Sequence, residues 1–145
     1  MKKIIYSPGE PSGIGPDLII KLSSSNLWED LKIPIVSVGD PKLFLDRAAL
    51  LKKKIKIIEL ESLNQVSKNS KGLIQIIKVT KCSNTRPGKL YKSNAQYVLN
   101  NLTYSIEQTM QNEGTALVTG PLSKENIISL DKLFTGHADA IRKGA

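Results

Sequence analysis

Short apolar runs alternate along this chain with longer stretches in which apolar residues recur every three or four positions. The runs cover residues 2–6, 33–38, 55–58, 74–79 and 116–119. Bounded by Gly, Pro, Ser and Asn, they read as strands, the first and last of them buried. Between them, Pro16 is a natural first position for a helix with Leu18, Ile19 and Leu22 inward. Asp40 is a natural N-cap and Pro41 a natural first residue for a second helix, which turns Phe44, Leu45, Ala48 and Leu51 to the core. Residues 93–113 give the clearest helical period. Ser93 with Gln96 predicts a capping box, Ala95, Val98, Leu102, Ile106 and Met110 form the stripe, and Gly114 closes it. The polar stretch 62–71 reads as a surface loop, and Ser123 as the cap of a short helix over 124–128.

Strand and helix alternating in this order predict an α/β architecture, a largely parallel sheet flanked by helices. In such a sheet the carboxyl ends of the strands share one rim, where ligands bind. Three loops leave strands there: Ser7 to Gly15, Gly39 to Pro41, and Gly120 to Lys124. They are expected to converge on one cleft. Glycines admit close backbone approach, and a helix starting near Pro16 aims free N–H groups at the space above Gly13 and Gly15. Glu10, Gly13, Gly15, Gly120 and Lys124 are therefore the candidate anion-binding loop residues. The spacing G-x-x-x-G-x-G is neither a dinucleotide fingerprint nor a Walker loop. Asp17, in the first helical turn, offers a competing reading in which its own carboxylate caps those N–H groups, and Glu10 reads equally as a solvated or capping acid.

Composition narrows the picture further. At 145 residues the chain is long enough for one domain with a sizeable core. No apolar run reaches the ~20 residues of a membrane span, and Pro8 and Gly9 break the first run too early for a signal peptide, so a cytoplasmic protein is expected. The net charge of +8 raises nucleic-acid binding. Of the 21 basic residues only Arg47, Arg86 and Arg142 are arginines, and aromatics are too sparse for base stacking, so no nucleic-acid partner is expected. The run Lys52 to Lys54 fits the end of the second helix, where cations complement the dipole. Cys82, the one cysteine, has no disulfide partner and reads as a buried reduced thiol. The one histidine, His137, cannot by itself make a metal site, and G-x-S-x-G is absent, so hydrolase chemistry is not indicated.

Four separated motifs are informative when taken in order. Residues 8–17 read PGEPSGIGPD, 87–90 PGKL, 118–124 VTGPLSK and 134–137 FTGH. Together they resemble the amino-terminal half of the 4-hydroxythreonine-4-phosphate dehydrogenases, and the segment Gly13 to Asp17 is also similar to the opening loop of the isocitrate and isopropylmalate dehydrogenases. The resemblance implies an isopropylmalate dehydrogenase-like fold, here incomplete. It implies NAD- or NADP-dependent oxidation of 4-phosphooxy-L-threonine to 2-amino-3-oxo-4-phosphooxybutanoate, which decarboxylates, on the route to pyridoxal phosphate. A divalent metal (Zn, Mg or Co) acting as Lewis acid and a homodimer belong to the same implication.

By the same resemblance, His137 and the position after it contact substrate. That position is a threonine in the family and Ala138 here, which removes a hydrogen bond worth about 0.5–1.5 kcal/mol net. Asp139 stands where glutamate is common. The resemblance covers residues 1–139, and 140–145 read as a divergent tail. Family members are more than twice this long and carry their metal-binding histidines in the part not represented, so this chain by itself is expected not to oxidise the substrate. A non-catalytic module, binding a phosphorylated ligand or capping a subunit, remains the alternative.

Overall fold

The computed structural model describes residues 2–83 and 85–123. Five strands form one sheet: β1 (Lys3–Ser7), β2 (Ile35–Val38), β3 (Lys56–Leu60), β4 (Leu73–Ile77) and β5 (Thr115–Thr119). Their order is β3-β4-β2-β1-β5 and every neighbouring pair is parallel, with Ile4 opposite Ile35 and Ala116, and Ile58 opposite Gln75. The helices are α1 (Gly15–Ser23), α2 (Leu27–Asp30), α3 (Pro41–Leu50) and α4 (Ala95–Gln111). This is the expected α/β fold. The helices α1 and α3 pack against each other, and α4 lies on β1 and β5.

Period-two alternation divides the buried side chains. Tyr6, Ile35, Ile74 and Ile76 join the larger apolar cluster with Ile19, Ile20, Phe44 and Trp28, whereas Ile5, Val36, Val38 and Ile77 join a smaller one with Leu60, Leu63 and Val66. The central strands are apolar on both faces, as a covered parallel sheet requires. The edges differ: β3 exposes Lys56 and Glu59, while β5 exposes Ala116 and Val118, so β5 is an edge strand among the described residues rather than the buried strand expected.

Several local expectations are corrected by helix phase. In α1 the buried stripe is Pro16, Ile19, Ile20 and Ser23, which leaves Leu18 half-exposed. In α3 it is Leu43, Phe44, Arg47 and Ala48, with Leu45 turned to solvent. On α4 the stripe holds through Ile106, but Met110 is exposed. The capping box at Ser93 and Gln96 does not form: a 3-10 turn (Lys92–Asn94) precedes α4, Gln96 Nε2 donates to Asn100 Oδ1 and Ser93 Oγ meets Ser83 Oγ. Strand β2 starts only at Ile35, after Pro34.

The expected surface loop 62–71 is instead a packed connection. Leu63 and Val66 are buried, and so is Asn69, whose Oδ1 accepts from Ile35 N (3.0 Å) while its Nδ2 donates to Ile33 O (3.1 Å) and Leu31 O (3.3 Å). One amide thus satisfies three main-chain groups of the turn into β2. The short α2, absent from the sequence reading, buries Trp28, whose Nε1 donates to Leu73 O (3.2 Å). Asn69→Ala strands those main-chain groups, so urea unfolding should show a loss of about 1–3 kcal/mol, with the far-UV circular dichroism spectrum retained; an unchanged midpoint contradicts this assignment.

Candidate functional site

The loops at the carboxyl rim are locked into one another. Gly120 N donates to Ser7 O (2.8 Å) and Glu10 N to Pro121 O (2.9 Å), so the loop leaving β5 is bonded directly to the loop leaving its neighbour β1. Gly9 holds φ +84°, and a Cβ there would overlap the carbonyl of Pro121. A Cβ on Gly120 or on Gly15 would overlap the carbonyl of Pro8. These glycines are required by chain packed on chain. Within the loop, Gly13 N donates to Glu10 O (3.0 Å) and Ser12 N to Glu10 Oε1 (3.3 Å); Glu10 is buried, not solvated.

A residue of α3 fastens the same loop from below. Arg47 is 2% exposed; its Nη1 donates to Gly13 O (2.9 Å) and Asp17 Oδ1 (2.7 Å), and its Nη2 donates to Pro11 O. The Asp17 carboxylate therefore pairs with a guanidinium; α1 has no side-chain cap. Two carbonyls of the glycine-rich loop point at a cation of the protein itself. A planar five-donor fork satisfies such a divergent acceptor set, which a lysine cannot.

The Gly39-Asp40-Pro41 turn joins from the next strand. Asp40 caps α3 as expected, with Oδ1 accepting from Lys42 N (3.1 Å), while its Oδ2 accepts from Cys82 N (2.9 Å) and its own N–H donates to Tyr97 Oη (2.9 Å). Gly39 is flanked by Phe44 and Tyr97, whose ring carbon and hydroxyl would lie 2.8 and 2.9 Å from a Cβ. Burial pushes the Tyr97 and Tyr6 hydroxyls up, the latter to about 12, so both stay neutral; Tyr97 Oη accepts from Asp40 N, and Tyr6 Oη donates to Gly15 O (2.8 Å). The segment after β4 is pinned by the fully buried Asn94, whose Oδ1 accepts from Ser83 N (3.0 Å) and Ser83 Oγ (2.6 Å). The turn at Pro87-Gly88 docks back on the opening loop through Gly88 N to Ser12 O (2.7 Å).

Glu10, Gly13, Gly15 and Gly120, chosen from the sequence, thus stand together on one rim, and the 87–90 motif meets them there. Lys124, His137 and Ala138, with the expected helix over 124–128, lie outside the described residues. The residues that sequence reasoning missed are Arg47 and Asn94. A signal for Arg47 was present, since it shares the stripe of Phe44 and Ala48 at i+3 and i−1, and an arginine on a buried stripe must have a partner.

Comparison with known proteins gives concordant results. The family described as "Pyridoxal phosphate biosynthetic protein PdxA" matches residues 30–145. The chain is 32% identical over 139 residues to the 4-hydroxythreonine-4-phosphate dehydrogenase of Citrobacter koseri, covering 96% of this chain and 41% of that protein. It is 33% identical over 137 residues to the protein of the same name from Yersinia pseudotuberculosis, covering 94% and 40%. It therefore spans about two fifths of the length of the curated relatives it matches. Among solved structures, 4-hydroxythreonine-4-phosphate dehydrogenases from Burkholderia phymatum (TM-score 0.88, 17% identity) and Klebsiella pneumoniae (TM-score 0.87, 23% identity) share the fold over 99% of this chain, and 43% and 44% of theirs.

Two measurements check this geometry. Gly120→Ala forces two backbones apart, so it should lower stability by about 1–3 kcal/mol in urea unfolding, whereas Gly13→Ala, whose Cβ would lie 3.3 Å from Glu10 O, should cost less; equal costs contradict the interlocked rim. Cys82 is free and buried, and burial followed by the nearby Asp40 and Glu10 charges pushes its thiol up to about 12. The native thiol holds its proton above the ordinary value of 9.0, where the unfolded one has lost it. Stability is therefore full below pH 9.0 and falls as pH rises toward about 12. Melting temperatures of Cys82→Ala should fall less over that window than those of the parent chain; parallel curves contradict the burial of the thiol.

Proposed function

Because the chain belongs to the pyridoxal phosphate biosynthetic protein PdxA family, we propose that it serves pyridoxal phosphate formation, as part of the NAD- or NADP-dependent oxidation of 4-phosphooxy-L-threonine. The ketone product, 2-amino-3-oxo-4-phosphooxybutanoate, then decarboxylates. The reading is supported by the name shared among the relatives and carried by one observation, the bonding of the Gly120-Pro121 turn to the Gly9-Glu10 turn at a common rim. His137 and Ala138 are the proposed substrate contacts. His137 would hold the substrate by one ring nitrogen, and Ala138 offers no hydroxyl. Glu10, Gly13, Gly15, Gly120 and Lys124 would shape the mouth of the cleft. The protein acts, on this reading, as a cytoplasmic homodimer; none of the described helices is long and apolar enough to cross a membrane.

The sequence has one histidine, and among the described residues no three His, Cys, Asp or Glu side chains converge, so the described residues do not by themselves make a metal site. In the opening loop, the space a side chain would take at Gly9, Gly15 and Gly120 is filled by the carbonyls of Pro121 and Pro8. What the described residues supply is position: a rim held by Arg47. By itself the chain binds substrate and does not oxidise it.

Isothermal titration of the purified chain with 4-phosphooxy-L-threonine should give saturable binding that His137→Ala abolishes, with no NADH formed when NAD and zinc or magnesium are added. Turnover by the isolated chain, or binding indifferent to His137→Ala, contradicts the proposal.

A further inference from the structure

The two edges of the sheet differ in chemistry. Strand β3 exposes Lys56 and Glu59, charges of the kind that discourage another chain from pairing there. Strand β5 has no such guard: Thr115-Ala116-Leu117-Val118-Thr119 carries no charge and no proline, and Val118 is 46% exposed. Its free side follows from its bonded side. Lys3 N donates to Gly114 O (3.1 Å) and Gly120 N to Ser7 O (2.8 Å), and the register between them is unbroken, from Lys3 opposite Thr115 to Ser7 opposite Thr119. Main-chain groups alternate in direction along a strand, so those of Ala116 and Val118 also turn to β1, and those of Thr115, Leu117 and Thr119 turn away. Thr115 N is held by its own turn, donating to Asn112 O (3.2 Å). Thr115 O and both groups of Leu117 and Thr119 have no main-chain partner among the described residues, where β5 pairs with β1 alone.

The sequence of this edge matches itself. Gly114 to Gly120 reads Gly-Thr-Ala-Leu-Val-Thr-Gly, almost the same in both directions about Leu117. A second copy, turned about a two-fold axis through Leu117, sets Leu117 beside its counterpart, Thr115 beside Thr119, Ala116 beside Val118 and glycine beside glycine. Leu117 then exchanges both main-chain groups across the axis, and Thr119 N donates to Thr115 O of the second copy. Ala116 and Val118 form the closer pairs on the uncovered face, a small side chain against a branched one, and no like charges meet. Neighbouring registers are poorer. A centre one residue earlier leaves Thr119 facing Glu113, outside the strand; one residue later, Thr115 O faces Pro121, which has no N–H to donate.

We propose that β5 is a docking edge for a second copy of this chain, joined antiparallel about Leu117 so that one sheet runs through both copies. The seam is argued from β5 itself and stands apart from the homodimer implied by the family, which specifies no interface. Sedimentation equilibrium of the full chain over a dilution series should show a reversible monomer–dimer equilibrium. In Ala116→Lys/Val118→Lys like charges oppose each other across the seam, and association should weaken about tenfold or more. In Ala116→Lys/Val118→Glu each new Lys meets a new Glu, and association should return to near that of the parent chain. Both positions are exposed, so the far-UV circular dichroism spectrum of each variant should match the parent. Hydrogen exchange followed by NMR reads the register. The amides of Leu117 and Thr119 should gain protection as concentration rises, while those of Ala116 and Val118, already turned to β1, should not change. A chain that stays monomeric at every concentration overturns the proposal, as does a dimer indifferent to the Lys/Lys change, which leaves only a homodimer through another face. Protection of Leu117 and Thr119 at every dilution also overturns it, because the chain's own residues then cover the edge.

Discussion

The carboxyl rim depends on one buried guanidinium. Arg47 stands on the core-facing stripe of α3, yet it reaches across to two carbonyls of the loop leaving β1 and to the carboxylate of Asp17 on α1. Such a cation is costly to bury and is tolerated only when its donors find acceptors. Here the acceptors come from the loop that has least secondary structure to hold it. The bargain is reciprocal: the loop satisfies the arginine, and the arginine gives a glycine- and proline-rich segment a single conformation.

The rest of the rim is built outward from that contact. The β1 loop accepts the docking of the 87–90 turn through Ser12 O and the docking of the β5 loop through Glu10 N, so three motifs far apart in sequence meet over a few ångströms. Sheet order explains why. The crossover from β1 proceeds toward β2, whereas that from β4 returns past β1 to β5, and reversal of direction leaves the β1 and β5 loops side by side. Topology supplies the place and glycine supplies the close approach.

Much of this was legible in the sequence. Apolar runs and their Gly-Pro punctuation located all five strands; in the central ones this follows because a sheet covered on both faces needs uninterrupted apolar segments, while the edge strands β3 and β5 keep exposed positions. Asp40 was readable as a cap because its role is local. Phase was harder: Leu18 and Leu45 lost their core places to Ile20 and Leu43, since neighbouring apolar residues on a helix leave the stripe free to rotate until packing chooses. Non-local polar anchors were not legible. Asn69 and Asn94 look like ordinary loop residues, and only the fold reveals that each satisfies main-chain groups far from it in sequence. The glycine loop admits two readings from sequence, an anion site and a self-capped turn; in the structure its glycines meet other backbone, and its carbonyls, with Asp17, receive Arg47.

Native-state hydrogen exchange of Arg47→Met tests most directly whether Arg47 fastens the rim. The amides of Glu10, Gly13 and Gly120 should lose protection together while those of Ile74 and Ile76 in β4 keep theirs. Protection retained at Glu10, Gly13 and Gly120 would contradict that role.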